Sequence, residues 1–372
     1  TGWTAPVDEW RLPRGGLRNA AAAPGAFGDP PDAAWTVEPP DDPNGSGGSV
    51  LAAGETVLSA VARDDRAVLR ARDAADGRGR WRQVFSFAPA RRYPRIGGLV
   101  DGSLVLTDSG TDVVAVDVAD GTVRWRVDLR DGVAGAVPDR FLPDRDPAAF
   151  SPVALPTTGV VYVQTAYGLH GLAPADGRER WRLRLGDRGR DARPREDPGG
   201  IAVHDGRVLA SYGRPTPTVY EVRVGTDGPA VDRAAAATRL PARPVVVDGR
   251  TVLTDRVVWS TNTGGTLAVG VGGRTTVAWR FPGLAGEGST AYSRLAASGG
   301  RAFVCEGGES SETLAVFGLR ASDGGLAWLR RESVASLNVA RSDAAAFKLA
   351  GPVVVGDILL VGAGVAPDEA AG

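Results

Sequence analysis

Residues 71–81 read ARDAADGRGRW, and three other stretches share their frame: AVDVADGTVRW at 115–125, GLAPADGRERW at 171–181 and GLRASDGGLAW at 318–328. In each, a small residue (Ala71, Ala115, Gly171, Gly318) stands ten positions before a tryptophan (Trp81, Trp125, Trp181, Trp328). A glycine (Gly77, Gly121, Gly177, Gly324) stands four before the same tryptophan and follows an aspartate. Asp-Gly between two alternating segments is a strong hairpin signal, because both residues tolerate positive φ, so each copy is expected to form the corner of a β-hairpin. Self-similarity at a recurring period is the mark of solenoids and propellers.

Upstream of Trp125 lie IGGLV and SLVLTD, followed by VVAVDV and then TVRWRVDL around the tryptophan itself. Segments rich in Val, Leu, Thr and Trp with period-two alternation are strands. Four strands per unit, with 44 residues from Trp81 to Trp125 and 56 from Trp125 to Trp181, fit the blades of a β-propeller. Residues 244–281 keep Trp279 but change the turn, and residues 200–232 lose the tryptophan, so both are degenerate copies. GPVVVGDILLVGAG, near the end, supplies strands without a tryptophan corner, and DAAWTVEPP supplies a tryptophan strand, Trp35, with no blade before it. These ends complement each other. If Trp35 is the outer strand of the blade begun at residue 352, strands from both termini close the ring and leave no open sheet edge.

The expected fold is therefore an all-β propeller of four-stranded antiparallel blades, seven in number, or eight if a divergent unit lies in residues 330–350. One domain spans residues 1–372: a lead-in and closing strand over 1–48, blades over 49–363 and a tail over 364–372.

Composition narrows the function classes. With 43 basic and 44 acidic side chains the net charge is -1, so neither nucleic acid nor an anionic membrane has an electrostatic claim on the surface. Arginine supplies nearly all the positive charge, Lys348 being the only lysine. The chain has no methionine, and the expectation is that Thr1 follows a removed targeting segment, with a lipid anchor upstream as a further expectation. Cys305 is alone, which forbids an internal disulfide and a multi-cysteine metal site. In RAFVCEGG it reads as a small apolar strand residue. The longest apolar stretch, GPVVVGDILLVGAGVA, is interrupted by Asp357 and too short to span a bilayer.

The pattern Ala-x-Asp-x-x-x-Gly-x-x-x-Trp, complete at 71–81 and 115–125, resembles the tryptophan-docking repeat of pyrroloquinoline-quinone-like (PQQ-like) β-propellers. EWRLPRGGLRNAAAAPG, residues 9–25, resembles that family's N-terminal lead-in. The resemblance covers almost the whole chain. It implies that Trp35, Trp81, Trp125, Trp181, Trp279 and Trp328 each wedge between adjacent blades, with the indole N–H on backbone of the next corner. Asp73, Asp117 and the tryptophans are then structural. Ala173 and Arg320 depart from the pattern where it has aspartate.

Two functional classes follow from the resemblance. Quinone-dependent alcohol and sugar dehydrogenases of this repeat type usually carry a vicinal disulfide, which a single cysteine forbids, and a Glu/Asn/Asp calcium cluster, which has no counterpart assigned here. Size and repeat are also similar to those of the scaffold lipoprotein of the outer-membrane β-barrel assembly machinery. The favoured expectation is a monomeric, non-enzymatic binding or scaffolding propeller outside the cytoplasm, with no cofactor, no metal and no transmembrane segment, holding a protein partner or small ligand. The alternative is a PQQ-dependent oxidoreductase.

No serine sits in a nucleophile elbow, and the two histidines, His170 and His204, lie in strand and hairpin contexts that suit structural roles. GAG at 362–364 follows a strand but precedes no helix, so it is no dinucleotide loop. DDPNGSGG, from Asp41, lacks the ligand spacing of a calcium loop and reads as a linker. In an up-and-down blade, the connections to the next blade emerge on one face. The three longest insertions, at 128–150, 184–199 and 330–350, belong to that class. The same connections deliver Tyr93, Arg95, Ser151, Arg243, Tyr292 and Arg294 to the channel mouth, where a partial ring of arginine and tyrosine suits an anionic ligand or a peptide carboxylate.

Overall fold

The computed structural model describes residues 22–23, 35, 46–63, 66–86, 95–107, 112–129, 153–157, 159–165, 168–185, 198–204, 207–212, 218–225, 228–236, 244–247, 251–254, 266–270, 277–281, 291–292, 296–307, 313–333, 347–349, 353–355, 358–361 and 363–365. Among them the regular structure is all strand. Five antiparallel four-stranded sheets follow one another along the chain, each in simple sequential order. The first comprises Ser46–Ala53, Thr56–Arg63, Arg66–Asp73 and Gly79–Ser86; the second Arg95–Val100, Ser103–Thr107, Asp112–Asp117 and Val123–Asp128. The third comprises Val153–Pro156, Val161–Thr165, Gly168–Leu172 and Glu179–Arg184; the fourth Pro198–His204, Arg207–Tyr212, Thr218–Gly225 and Gly228–Ala236. The fifth comprises Pro244–Val247, Thr251–Thr254, Thr266–Gly270 and Val277–Phe281. In the sixth, Arg301–Gly307, Thr313–Arg320 and Leu326–Ser333 pair in order, and the first strand is split into Ala291–Tyr292 and Ala296–Ser298. The two degenerate copies are thus complete sheets.

First strands pack on first strands. Ser46–Ala53 meets Arg95–Val100, which meets Val153–Pro156, and the series continues through Pro198–His204, Pro244–Val247 and Ala296–Ser298 to Val353–Val355. This arrangement is that of propeller blades around an axis, and the chain is a β-propeller. Near the C-terminus, Val353–Val355 pairs with Ile358–Leu360, and Phe347–Leu349 with Ala363–Val365. Ala22–Ala23, within the lead-in, pairs in parallel with Val354 and Val355. The strand from the N-terminal region on this sheet is therefore Ala22–Ala23; Trp35 is described outside any strand.

The core is laid down between the sheets. Leu51, Leu58, Leu69 and Ala71 of the first sheet pack on Leu104, Leu106, Val114 and Val116 of the second. Val105, Val113, Ala115 and Trp125 of the second pack on Ala154, Val161, Val163 and Leu172 of the third. Third strands such as Asp112–Asp117 and Gly168–Leu172 are buried almost throughout, because both faces press on a neighbouring sheet. Such strands read as continuous apolar runs, VVAV in the second sheet, rather than as alternation.

Candidate functional site

The four corners have one backbone. In the first, the amide of Gly77 donates to Asp73 O (3.0 Å) and that of Asp73 to Arg78 O (2.8 Å); the same pair of bonds closes the corners at 117–122, 173–178 and 320–325. Only the glycine takes positive φ, from +71° to +79° in Gly77, Gly121, Gly177 and Gly324. The expected two-residue Asp-Gly turn is therefore corrected to a six-residue loop. The aspartate earns its place differently: Asp76, Asp120, Asp176 and Asp323 each accept from the amide two residues on, an Asx turn. The two-residue turn with positive φ at both positions occurs instead at Asp101-Gly102, between the paired Val100 and Ser103.

Each tryptophan whose side chain is described reaches forward to the next sheet. The indole N–H of Trp35 donates to Ala74 O (2.9 Å), that of Trp81 to Val118 O (2.8 Å) and that of Trp125 to Pro174 O (2.7 Å). Trp181 packs with Ile201, Val208 and Val222 of the fourth sheet and lies 5.9 Å from the Tyr162 ring. Trp328 packs on Phe303, Val354 and Leu359. The backbone of Trp279 pairs with Ala268; its side chain lies outside the described residues. Opposite each tryptophan, the third strand carries a bulge just after its small residue, as at Ala71/Arg72 and Gly318/Leu319. The fourth sheet keeps the bulge without the tryptophan, between Glu221 and Val222. There Glu221 is buried and ion-paired with Arg207.

The arginine preceding the tryptophan is a structural position that the motif alone does not reveal. Arg80 bonds Asp73 (2.6 Å) and Thr56 (2.9 Å); Arg124 bonds Asp117 (2.6 Å) and Asp101 O (2.8 Å). Each ties its corner to the first turn of the same sheet. In the third copy Ala173 replaces the aspartate, and Arg180 keeps only the turn, through Gly159 O. In the sixth, Ala327 replaces the arginine, while Arg320 takes the aspartate position and bonds Asp323. The repeated Arg-Trp dipeptide was the available signal. These ties put corners and first turns on one face, so the connections between sheets emerge on the other.

Between the second and third sheets lies a buried polar cluster. His170, 4% exposed, donates from Nδ1 to Glu179 Oε1 (2.8 Å), and its Nε2 lies 3.2 Å from Thr165 Oγ1. Glu179 also lies 3.7 Å from Arg182 Nε. Burial pushes the imidazole below its ordinary value; the bond to Glu179 opposes this and the nearby Arg182 adds to it. The unfolded chain then binds the proton more readily, so the stability present above the ordinary histidine pKa is lost as pH falls below it. Between about pH 7 and pH 5 the melting temperature should fall more steeply in the natural chain than in His170→Gln. Equal slopes would remove His170 from the titration.

The proposed mouth residues gain no described geometry. Arg95 begins a strand opposite Thr107 and Tyr292 pairs with Glu306, but their side chains, and Tyr93, Ser151, Arg243 and Arg294, lie outside the described residues. The insertions lie mostly outside them too. Cys305 is buried in its strand. Among the described residues, no three His, Cys, Asp or Glu side chains gather as a metal site would need, and no helix is long and apolar enough to cross a membrane.

A family model described as outer membrane protein assembly factor BamB matches residues 29–267. No curated protein sequence matches the chain. Among solved structures, BamB from Moraxella catarrhalis is similar at 17% identity and a TM-score of 0.54, covering 83% of this chain and 78% of that one. A europium-containing methanol dehydrogenase is similar at 11% identity and 0.60, covering 96% and 82%. The quinohemoprotein alcohol dehydrogenase of Comamonas testosteroni is similar at 10% and 0.56, covering 96% and 70%. At these identities the likenesses show the fold.

Proposed function

Because the chain belongs to the family described as outer membrane protein assembly factor BamB, we propose that it is a non-enzymatic scaffold. It works outside the cytoplasm as a monomer and holds a protein partner or small ligand on the face opposite the corners. The observation that carries this reading is the family match over residues 29–267. The topology supports the choice of face. Corners and first turns are tied to one another by Arg80, Arg124 and Arg180, whereas the sequences that join one sheet to the next differ in length from sheet to sheet. Tyr93, Arg95, Ser151, Arg243, Tyr292 and Arg294 are the proposed contact residues there. On the same reading the ring has seven blades and closes through both termini, and the six tryptophans are its structural docking residues.

Calorimetric titration with pyrroloquinoline quinone, with and without calcium, tests this. The expected result is no saturable heat. Saturable, calcium-dependent binding would overturn the scaffold and establish the alternative, a PQQ-dependent oxidoreductase, which the likeness to the two dehydrogenases favours.

A further inference from the structure

The first sheet packs one face on the second through Leu51, Leu58, Leu69 and Ala71. Strand alternation puts the residues between them on the other face. There Val50, Ser59, Arg70 and Arg82 form a single row across all four strands, each directly paired with the next. Arg72, two residues from Arg70 on the same strand, shares the face and uses one guanidinium nitrogen on Gly77 O. Solvent reaches this face. Val50 is 58% exposed, Val84, two residues beyond Arg82, is 37% exposed, and Arg82 itself is exposed.

The equivalent positions of other sheets are built differently. That of Arg70, just before the small residue that faces the tryptophan, holds Val114 in the second sheet, Phe317 in the sixth and the Glu179-bonded His170 in the third, all buried. That of Arg82 holds Arg126 and Arg182 in the second and third sheets, each facing a carboxylate of its own sheet, Asp112 and Glu179. Among the described residues no carboxylate is paired with Arg70, Arg72 or Arg82. Like charges directly opposite one another in a sheet are destabilising, and partial burial, with Arg82 and Arg72 alongside, makes Arg70 less basic. The first sheet thus gathers three guanidinium groups where other sheets place an apolar residue or a matched pair.

Their spacing suits one small, multiply charged anion. Directly paired side chains leave a sheet about 5 Å apart and diagonal neighbours about 7–8 Å apart, so the long arms of Arg70, Arg72 and Arg82 can converge on a single group. A guanidinium is a fork of N–H donors that binds two oxygens at once. A carboxylate brings two oxygens and one charge, which serve one fork. A phosphate monoester brings three terminal oxygens and nearly two charges at neutral pH, enough for several forks and for most of the positive charge. Ser59, paired with Arg70, places a hydroxyl donor beside them. Val50 and Val84 border the row with exposed apolar surface, against which the carbon body of an ester can rest.

We propose that Arg70, Arg72 and Arg82 form a binding site for a phosphate monoester on the open face of the first sheet. The site stands apart from the rim assigned to the partner and does not depend on the scaffold reading. Calorimetric titration of the full chain with glycerol 3-phosphate, at constant ionic strength, should give saturable binding. Arg82→Gln, and Arg70→Val, which installs the residue type of Val114, should each weaken it by about tenfold or more, the usual cost of losing a hydrogen bond between two charged groups. Arg78→Gln removes an equally exposed charge at the corner, where Arg78 faces Asp76, and should bind as the natural chain does. No saturable binding by the natural chain, or equal weakening in all three variants, would overturn the proposal. A soluble ester and a lipid headgroup share this chemistry, and flotation with phosphatidylcholine vesicles containing phosphatidic acid separates them. Flotation of the natural chain but not of Arg82→Gln would support the site with a lipid as its ligand; glycerol 3-phosphate binding without flotation would support it with a soluble ester.

Discussion

Trp125→Ala should lower the unfolding free energy by about 3–5 kcal/mol, the usual cost of emptying a large aromatic site in a core that cannot collapse. Trp125 is the most deeply buried of the tryptophans whose side chains are described, at 7%. It lies among Val105, Ala154 and Val163 between the second and third sheets. Its ring covers Gly177, and its N–H satisfies Pro174 O in a buried bond of 2.7 Å. The alanine variant loses both the packing and the donor. Trp125→Phe separates them: most of the area stays, the carbonyl is left without its partner, and the loss should be about 1–2 kcal/mol. Urea unfolding followed by fluorescence and circular dichroism measures both. A loss below about 1 kcal/mol for the alanine variant would mean that the corner does not couple the two sheets.

Much of this architecture can be read from the four tryptophan stretches, because the feature that repeats in sequence is the one that touches the next sheet. A small residue ten before the tryptophan and a glycine four before it are spacings dictated by contact: Ala115 lies beside Trp125 across a bulged strand pair, and Gly121 lies under Trp81 from the sheet before. The same logic explains what the sequence hides. In the fourth sheet the tryptophan is lost, yet four strands form, since Val208, Ala210 and Val222 still fill the gap to the third; burial, not the motif, makes the blade. At Asp76 the turn chemistry is hidden, because a side chain that caps an amide looks, in sequence, the same as one that tolerates positive φ. The His170–Glu179 bond joins residues nine apart through a bulge, and no periodicity announces it. The channel-mouth residues were inferred from strand order alone, which delivers a residue to a rim without fixing its partners.

Gly177→Ala is the second large effect, and its origin can be separated experimentally. Gly177 has φ of +71°, and an added Cβ would stand 2.6 Å from Trp125 Cε3 and 2.8 Å from Val127 Cγ2. Gly54 shares the backbone strain, with φ of +54°, but its Cβ would meet nothing within 4 Å. Gly54→Ala should therefore cost only the left-handed penalty, about 1–2 kcal/mol. Gly177→Ala should cost that plus about 1–3 kcal/mol for forcing the indole or its neighbours aside. If most of the excess is the collision with Trp125, it must shrink once the ring is gone and only the Val127 contact remains. In a Trp125→Ala background, Gly177→Ala should cost less than it does in the natural chain, so the double variant should be less destabilised than the two single losses added. Strict additivity in the same urea titrations would place the whole cost outside the indole contact and leave the glycine with no part in docking Trp125.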